Sequence, residues 1–322
     1  KGHNGLGRLC FTSDPNKAAA HFKMAIEMGE FTGYSHLADL DRENELEHLK
    51  NALQTGDAYD EYSYGQYLIR QAKTDKEKES HLHWIEKAAK KGYGFAGFHM
   101  AMHHYKIDSE EDPTNETAKE WCRLGCDTGN LASLMWFGNR FLESPESHDE
   151  AEGYLKSACM MGDKYAQSFY GAWLVKHGKS FEAQAQGVAW LRKSLAQGHL
   201  SAICPLSEAI RKGQGAKVNL KEAHNLMAYG ADMGRSECQC HLGISYMYGD
   251  EVDIDKERAH DLFQIASLQG DLWATHLLGI TYDAGDGVQQ DHAKAFECFM
   301  KASNAEFPGA HFRVGRALLR GQ

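Results

Sequence analysis

The chain has 322 residues, of which 42% are hydrophobic, 25% charged and 11% aromatic, enough apolar material to form cores and too much for a disordered chain. Its formal charge of -10 excludes nucleic acid and anionic membrane surfaces, which need clustered Lys and Arg, and no apolar run of about 18 residues exists for direct membrane insertion. Single compact cores stop growing at about 250–300 residues, so the length implies two domains or a repeat array.

Only 5 prolines interrupt the chain, and Ala, Leu, Glu, Lys and Met fill the stretches between glycines, which favours helix over strand. Self-comparison sets the frame. The segment "GADMGRSECQCHLGISY" (230–246) is echoed by "ASLQGDLWATHLLGITY" (266–282): a helix closing in small residues meets Gly, a small residue stands four positions on, Leu-Gly follows at eight and nine, and Tyr at twelve. In chain order the landmark glycines are Gly29, Gly56, Gly92, Gly129, Gly162, Gly198, Gly234 and Gly270, with Glu306 in the ninth place; the steps are 27, 36, 37, 33, 36, 36, 36 and 36.

At the start, Leu6-Gly7 already holds the Leu-Gly place, so the first helix is expected to begin at or before residue 1, with more protein preceding a single array over 1–322. The short step from Gly29 to Gly56 implies a clipped connector. Later helices end as "WIEKAAKKG" (84–92), "YLKSACMMG" (154–162) and "LFQIASLQG" (262–270), with a bulky apolar residue four before a small pair, so that bulk and notch share one helical face. The landmark Gly then caps the helix in the left-handed region. Ala101 and Ser207 stand where the glycine of Leu-Gly is expected. Near the end, "DAGDGVQQDHAKA" (283–295) holds two close glycines, but no Lys accompanies them and Asp283, Asp286 and Asp291 would repel phosphate. The related connector "YGDEVDIDKERA" (248–259) lies 36 residues earlier, which makes Gly285 and Gly287 turn residues and Asp291 a helix start. The chain closes on "AHFRVGRALLRG" (310–321), whose Arg313, Arg316 and Arg320 read as a solvated face. The expected architecture is all-α: about nine helical hairpins and a terminal helix.

The grammar of "HLLGITYDAGDGVQQDHAKAFECFMKAS" (276–303) resembles the Sel-one-like repeat family, a relative of tetratricopeptide arrays, and the resemblance covers essentially the whole chain. It implies a right-handed α-solenoid superhelix whose concave wall is lined by the first helix of each hairpin. It also implies a bacterial source and work as a host-interaction factor, envelope assembly factor, signalling adaptor or immunity protein neutralising a secreted toxin, such as a type VI phospholipase effector.

The eight cysteines fall on packing places: Cys126 and Cys159 in small pairs, Cys238 at a small site, Cys298 at a bulky one. The exported branch of the family resembled carries a cysteine pair in each unit, and the units holding Gly56 and Gly92 have none. This leaves the compartment open and leans toward a reducing, cytoplasmic one over the periplasm, while Cys122 and Cys126, at i and i+4, keep the possibility of reaction. His99 and His103 stand one turn apart, as in helical metal sites, but the glutamate of H-E-x-x-H is missing. No nucleophile or cofactor motif exists, so no catalytic residue, metal ligand or cofactor is assigned, and a metal-binding or hydrolytic enzyme is the alternative reading.

If positions four, eight and twelve of each first helix face the core, then seven, eleven and fourteen form a neighbouring stripe. It reads Ser63, Tyr67, Arg70; His99, His103, Lys106; Trp136, Arg140, Glu143; Phe169, Trp173, Lys176; and it turns bland at Pro205, Ala209, Lys212. Aromatic residues and Arg dominate binding hot spots, so Tyr67, His99, His103, Trp136, Arg140, Phe169 and Trp173 are the expected contacts for a protein partner, a secreted effector or envelope protein among them. The alternative is that these rings pack between hairpins.

Overall fold

The computed structural model describes residues 2–31, 33–108, 116–249 and 252–319, which form nineteen α-helices and no strand. Arg320, from the terminal basic face, lies outside the described residues. The chain divides into two compact units, residues 1–158 and 159–322.

In the first unit α1 (Gly2–Cys10) packs on α2 (Pro15–Glu27), α3 (Gly33–Leu40) on α4 (Glu45–Ala52), α5 (Ala58–Gln71) on α6 (Asp75–Lys90), and α7 (Gly94–Asp108) on α8 (Glu116–Asp127); α9 (Leu131–Phe141) and α10 (His148–Met160) follow. In the second, α11 (Lys164–His177) packs on α12 (Phe181–Ala196), α13 (Ile203–Lys212) on α14 (Leu220–Asp232), α15 (Ser236–Tyr248) on α16 (Lys256–Leu268), α17 (Leu272–Ala284) on α18 (His292–Asn304), and α19 (Pro308–Leu319) closes the series. Nine hairpins and a terminal helix result, an all-α solenoid of repeated helix pairs.

Local chemistry explains where each helix begins and ends. Side chains of Asp57, Thr74, Asn130, Asp163, Ser180, Asn219, Asp255, Asp271 and Asp291 each accept a backbone N–H of the following turn, satisfying donors that the helix leaves open. Every landmark glycine from Gly29 to Gly270 stands at positive φ, between 67° and 90°, and Glu306 holds the ninth place at φ 60°. The frame thus survives even where its glycine does not.

In the hairpins that keep it, the glycine of Leu-Gly is the socket for the bulky residue of the second helix. A Cβ on Gly279 would lie 2.6 Å from the Phe299 ring, on Gly243 2.7 Å from Phe263, on Gly138 2.3 Å from Leu155, and on Gly7 2.5 Å from Phe22. Phe22, Leu155, Phe263 and Phe299 are all buried, as are Ala25, Ala158, Ala266 and Ala302 three residues on. Ser207 and Ala101, which replace that glycine, are accommodated differently. Ser207 donates its hydroxyl to the Ala223 carbonyl at 2.8 Å, tying α13 to α14. Ala101 is buried, and the close approach of α7 and α8 moves one turn earlier, to Gly97, where a Cβ would lie 2.9 Å from the Trp121 carbonyl oxygen.

The short step between Gly29 and Gly56 corrects the sequence reading. The loss falls on the helices, since α3 and α4 have 8 residues each, and a connector still spans Asp41 to Asn44. The same region breaks the frame at Asp60, which sits in the small site four after Gly56 and is buried, accepting hydroxyl hydrogen bonds from Ser35 and Thr55.

The glycine-rich connector near the end is a docked turn. Gly287 at φ 72° lies so close to the first turn of α16 that a Cβ would be 2.0 Å from the Lys256 carbonyl oxygen, and Lys256 Nζ meets Asp286 Oδ1 at 2.7 Å. Gly215, 72 residues earlier, makes the matching approach to Gln184 of α12. Recurrence in two hairpins identifies this as architecture.

Candidate protein-binding face

In the first unit an aromatic ladder runs across helices. The ring of Phe22 is 5.0 Å from His36, His36 is 5.6 Å from Tyr59, Tyr59 is 5.7 Å from Tyr93, and Tyr93 is 5.1 Å from Tyr62, which stands edge-on to His99 at 6.1 Å. Contacts of this kind contribute beyond area burial, so the ladder fixes ring orientations along α3, α5 and α7.

On this frame the expected residues separate into groups. Tyr67 is half-buried on α5, with Arg70 over its ring at 5.9 Å and paired to Glu45. His99 is half-buried and bonded through Nδ1 to the Gln66 amide; burial, with smaller contributions from His103 and Lys106, lowers its pKa and keeps the imidazole neutral. His103 stands edge-on to His104 at 5.4 Å. Trp136 of α9 meets Tyr105 of α7 edge-on at 5.5 Å, and Arg140, exposed, lies over the same Tyr105 ring at 4.9 Å. Trp136, Arg140 and Tyr105 therefore form one cluster bridging consecutive first helices. In the second unit, Phe169 is 38% exposed, while Trp173 stacks on Tyr170 at 6.3 Å and lies 5.2 Å from His177.

Tyr105 was missed because it lies at offset thirteen, off the stripe, and reaches Trp136 only through the packing of α7 on α9. A second omission had a readable signal. Phe95 and Tyr165, three residues after their landmarks and four before His99 and Phe169, are 43% and 56% exposed. Counting one turn back along the stripe places them on it.

Chemistry of the catalytic kind has little support here. Among the described residues no group of three or more His, Cys, Asp or Glu side chains could hold a metal ion, so His99 and His103 gain no third ligand. All eight cysteines are free. Cys122 donates to the Ser133 carbonyl at 3.4 Å, and the contact with Cys122 together with burial pushes the Cys126 thiol up, which keeps Cys126 protonated. Burial pushes Cys159 up to about 12. No helix among the described residues is long and apolar enough to cross a membrane.

Comparison with known proteins agrees with the hairpin frame. The family model for the Sel1 repeat matches residues 3–30, 58–93, 129–163, 164–199, 202–234, 236–271 and 274–307. The unmatched stretches contain the shortened pair α3 and α4 and the pair α7 and α8, where the close approach is displaced. A Sel1 repeat protein from Oxalobacter formigenes superposes with a TM-score of 0.68 at 19% identity, over 92% of this chain and 89% of that one. The protein c5321 of uropathogenic Escherichia coli, described as a protective antigen displaying an SLR fold, gives 0.70 at 21% identity, over 99% of this chain and 72% of that one. No curated protein matches the sequence. Sel1 repeats in general mediate contacts between proteins and are non-catalytic. With seven matched repeats covering most of its length, the chain belongs to the Sel1 repeat family.

Proposed function

We propose that the protein is a non-catalytic scaffold that holds a polypeptide partner on the outward row of its first helices. Tyr67, His99, His103, Trp136 and Arg140 supply the contacts in the first unit, and Phe169 and Trp173 supply those in the second. The observation that carries this reading is the exposure of large aromatics at matching offsets: Phe95 at 43%, Tyr165 at 56% and Phe169 at 38%. Side chains of this size serve the core when buried, and left in water at recurring places they serve a partner. Arg140 adds an exposed guanidinium already oriented by the Tyr105 ring, suited to a carboxylate on the incoming chain.

First helices also approach one another along the stack. In the second unit α11 touches α13, α13 touches α15 and α15 touches α17, a closeness that supports a hollowed wall on that side. The test is affinity capture with purified protein, comparing the parent with Trp136→Ala/Arg140→Ala and with Phe169→Ala/Trp173→Ala. Loss of about tenfold or more in affinity for the captured protein, with helicity by circular dichroism unchanged, is the expected result. Full-strength capture by both variants would remove the proposed face. Identification of a secreted toxin as the ligand would assign an immunity role, and an envelope protein would assign assembly work.

A further inference from the structure

Two cysteines meet in the second unit across neighbouring repeats. Cys204 on α13 and Cys238 on α15 are 34 residues apart in sequence, and their sulfurs lie 3.4 Å from each other. Both are buried, Cys238 completely, in a cluster with Ile203, Ala231 and Leu242. Gly230 of α14 makes the room: a Cβ there would lie 2.4 Å from the Cys238 sulfur. Cys122 and Cys126, by contrast, sit one turn apart on a single helix.

We infer that Cys204 and Cys238 are a thiol pair poised to close an inter-repeat disulfide with a low-molecular-weight disulfide of the glutathione class. Access is through a cleft of about 290 Å³ between α13, α14 and α15, whose wall includes Cys204, Glu208, His224 and His241. Cys204, at the wall, gives up its proton and attacks one sulfur of the small disulfide, releasing a thiolate that takes that proton. The Cys238 sulfur then attacks Cys204 in the mixed disulfide, its own proton leaving with the second small thiol. Two protein thiols are oxidised, one small disulfide is reduced to two thiols, and one S–S bond joins α13 to α15. In the reduced pair the contact with Cys238 and burial push the Cys204 thiol up while the same contact lowers Cys238, so loss of the Cys204 proton makes the first attack the slow step. A shift of about 1.4 Å brings the sulfurs to bonding distance, within the reach of side-chain rotation. The product staples two successive repeats and stiffens the wall of the cleft.

The experiment treats the native protein with excess oxidised glutathione, blocks remaining thiols with iodoacetamide and maps peptides by mass spectrometry without reduction. The expected product links the peptides containing Cys204 and Cys238 with loss of two hydrogens, leaves Cys122 and Cys126 alkylated after unfolding, and raises the thermal midpoint by about 5 °C or more, reversibly with dithiothreitol. Recovery of both residues as alkylated thiols, or as separate glutathione adducts, would overturn the inference. Cys204→Ser, checked for helicity, must lose the midpoint shift; a shift that persists there would also overturn it.

Discussion

The docked connector makes a sharp prediction about three alanine substitutions. Gly287→Ala meets two obstacles at once. Its φ of 72° strains any residue with a Cβ by about 1–2 kcal/mol. The added methyl would also sit 2.0 Å from the Lys256 carbonyl oxygen and 2.2 Å from its carbon, backbone atoms that no rotamer change can move. Relief requires the connector to lift from α16, and overpacking of this kind costs about 1–3 kcal/mol, for a total of about 2–5 kcal/mol. Gly270→Ala, at φ 89° with nothing within 4 Å of its Cβ, carries the strain alone, about 1–2 kcal/mol. Gly153→Ala, inside α10 with open space around it, is expected to stabilise by up to about 1 kcal/mol through helix propensity. Urea unfolding followed at 222 nm ranks the three. If Gly287→Ala destabilises no more than Gly270→Ala, the connector does not bear on the preceding hairpin and the reasoning from recurrence fails.

Other substitutions address the polar contacts. Glu61 is 2% exposed; burial by itself would raise its pKa, yet Lys87 at 2.7 Å and Lys91 at 2.8 Å hold it below the usual carboxylate value. Removing both lysines leaves a buried carboxylate without a cation and is expected to cost about 3 kcal/mol or more, whereas Glu61→Gln/Lys91→Gln should stay within about 1 kcal/mol of the parent in the same urea assay. Burial, aided by Arg8, lowers the pKa of His36 to about 4, below its unfolded value of 6.5. The neutral ring's contribution is therefore present above pH 6.5 and lost as pH falls toward 4, at most about 3 kcal/mol because the ring is only half-buried. His36→Phe should flatten the acid limb of the thermal midpoint measured from pH 7 to 4, and an unchanged limb would exclude His36 as its source.

What the sequence revealed and what it hid follow from the range of each interaction. Landmark positions depend on local backbone geometry, so a string of glycines located the end of each second helix, and Glu306 at φ 60° shows the frame surviving the loss of its residue. Helix starts were equally local, as Asp291 bonding the Lys294 amide shows. The fate of Tyr105 was not local. Its ring is fixed by Trp136 and Arg140 on the next hairpin, through a lateral offset that no single helix encodes. Cys238 was read as a packing residue and Cys204 was not singled out for the same reason, since their contact depends on the step from one repeat to the next. The shortening of α3 and α4 escaped because a step of 27 says how many residues are missing and not which segment lost them.

Recurrent polar braces show which variation the stack tolerates. The residue before one landmark reaches the residue five after the preceding landmark, always 30 positions away: Lys91 to Glu61, Gln197 to Gln167 and Gln269 to Gln239, each at 2.8 Å. An ion pair and two amide pairs fill the same places, because a buried slot demands satisfied partners rather than particular residues. Each slot is thus constrained by its neighbour along the array, as expected where stability is a sum of nearest-neighbour terms. Most of the proposed row at offsets three, seven and eleven lies outside these slots, His99 with its bond to the Gln66 amide being an exception. Phe95, Trp136, Arg140 and Phe169 differ from repeat to repeat without disturbing any of these braces, so the row proposed to meet a partner can vary while the scaffold stays the same. A repeat pattern therefore reports the scaffold in detail and says least about the residues that would choose what it holds.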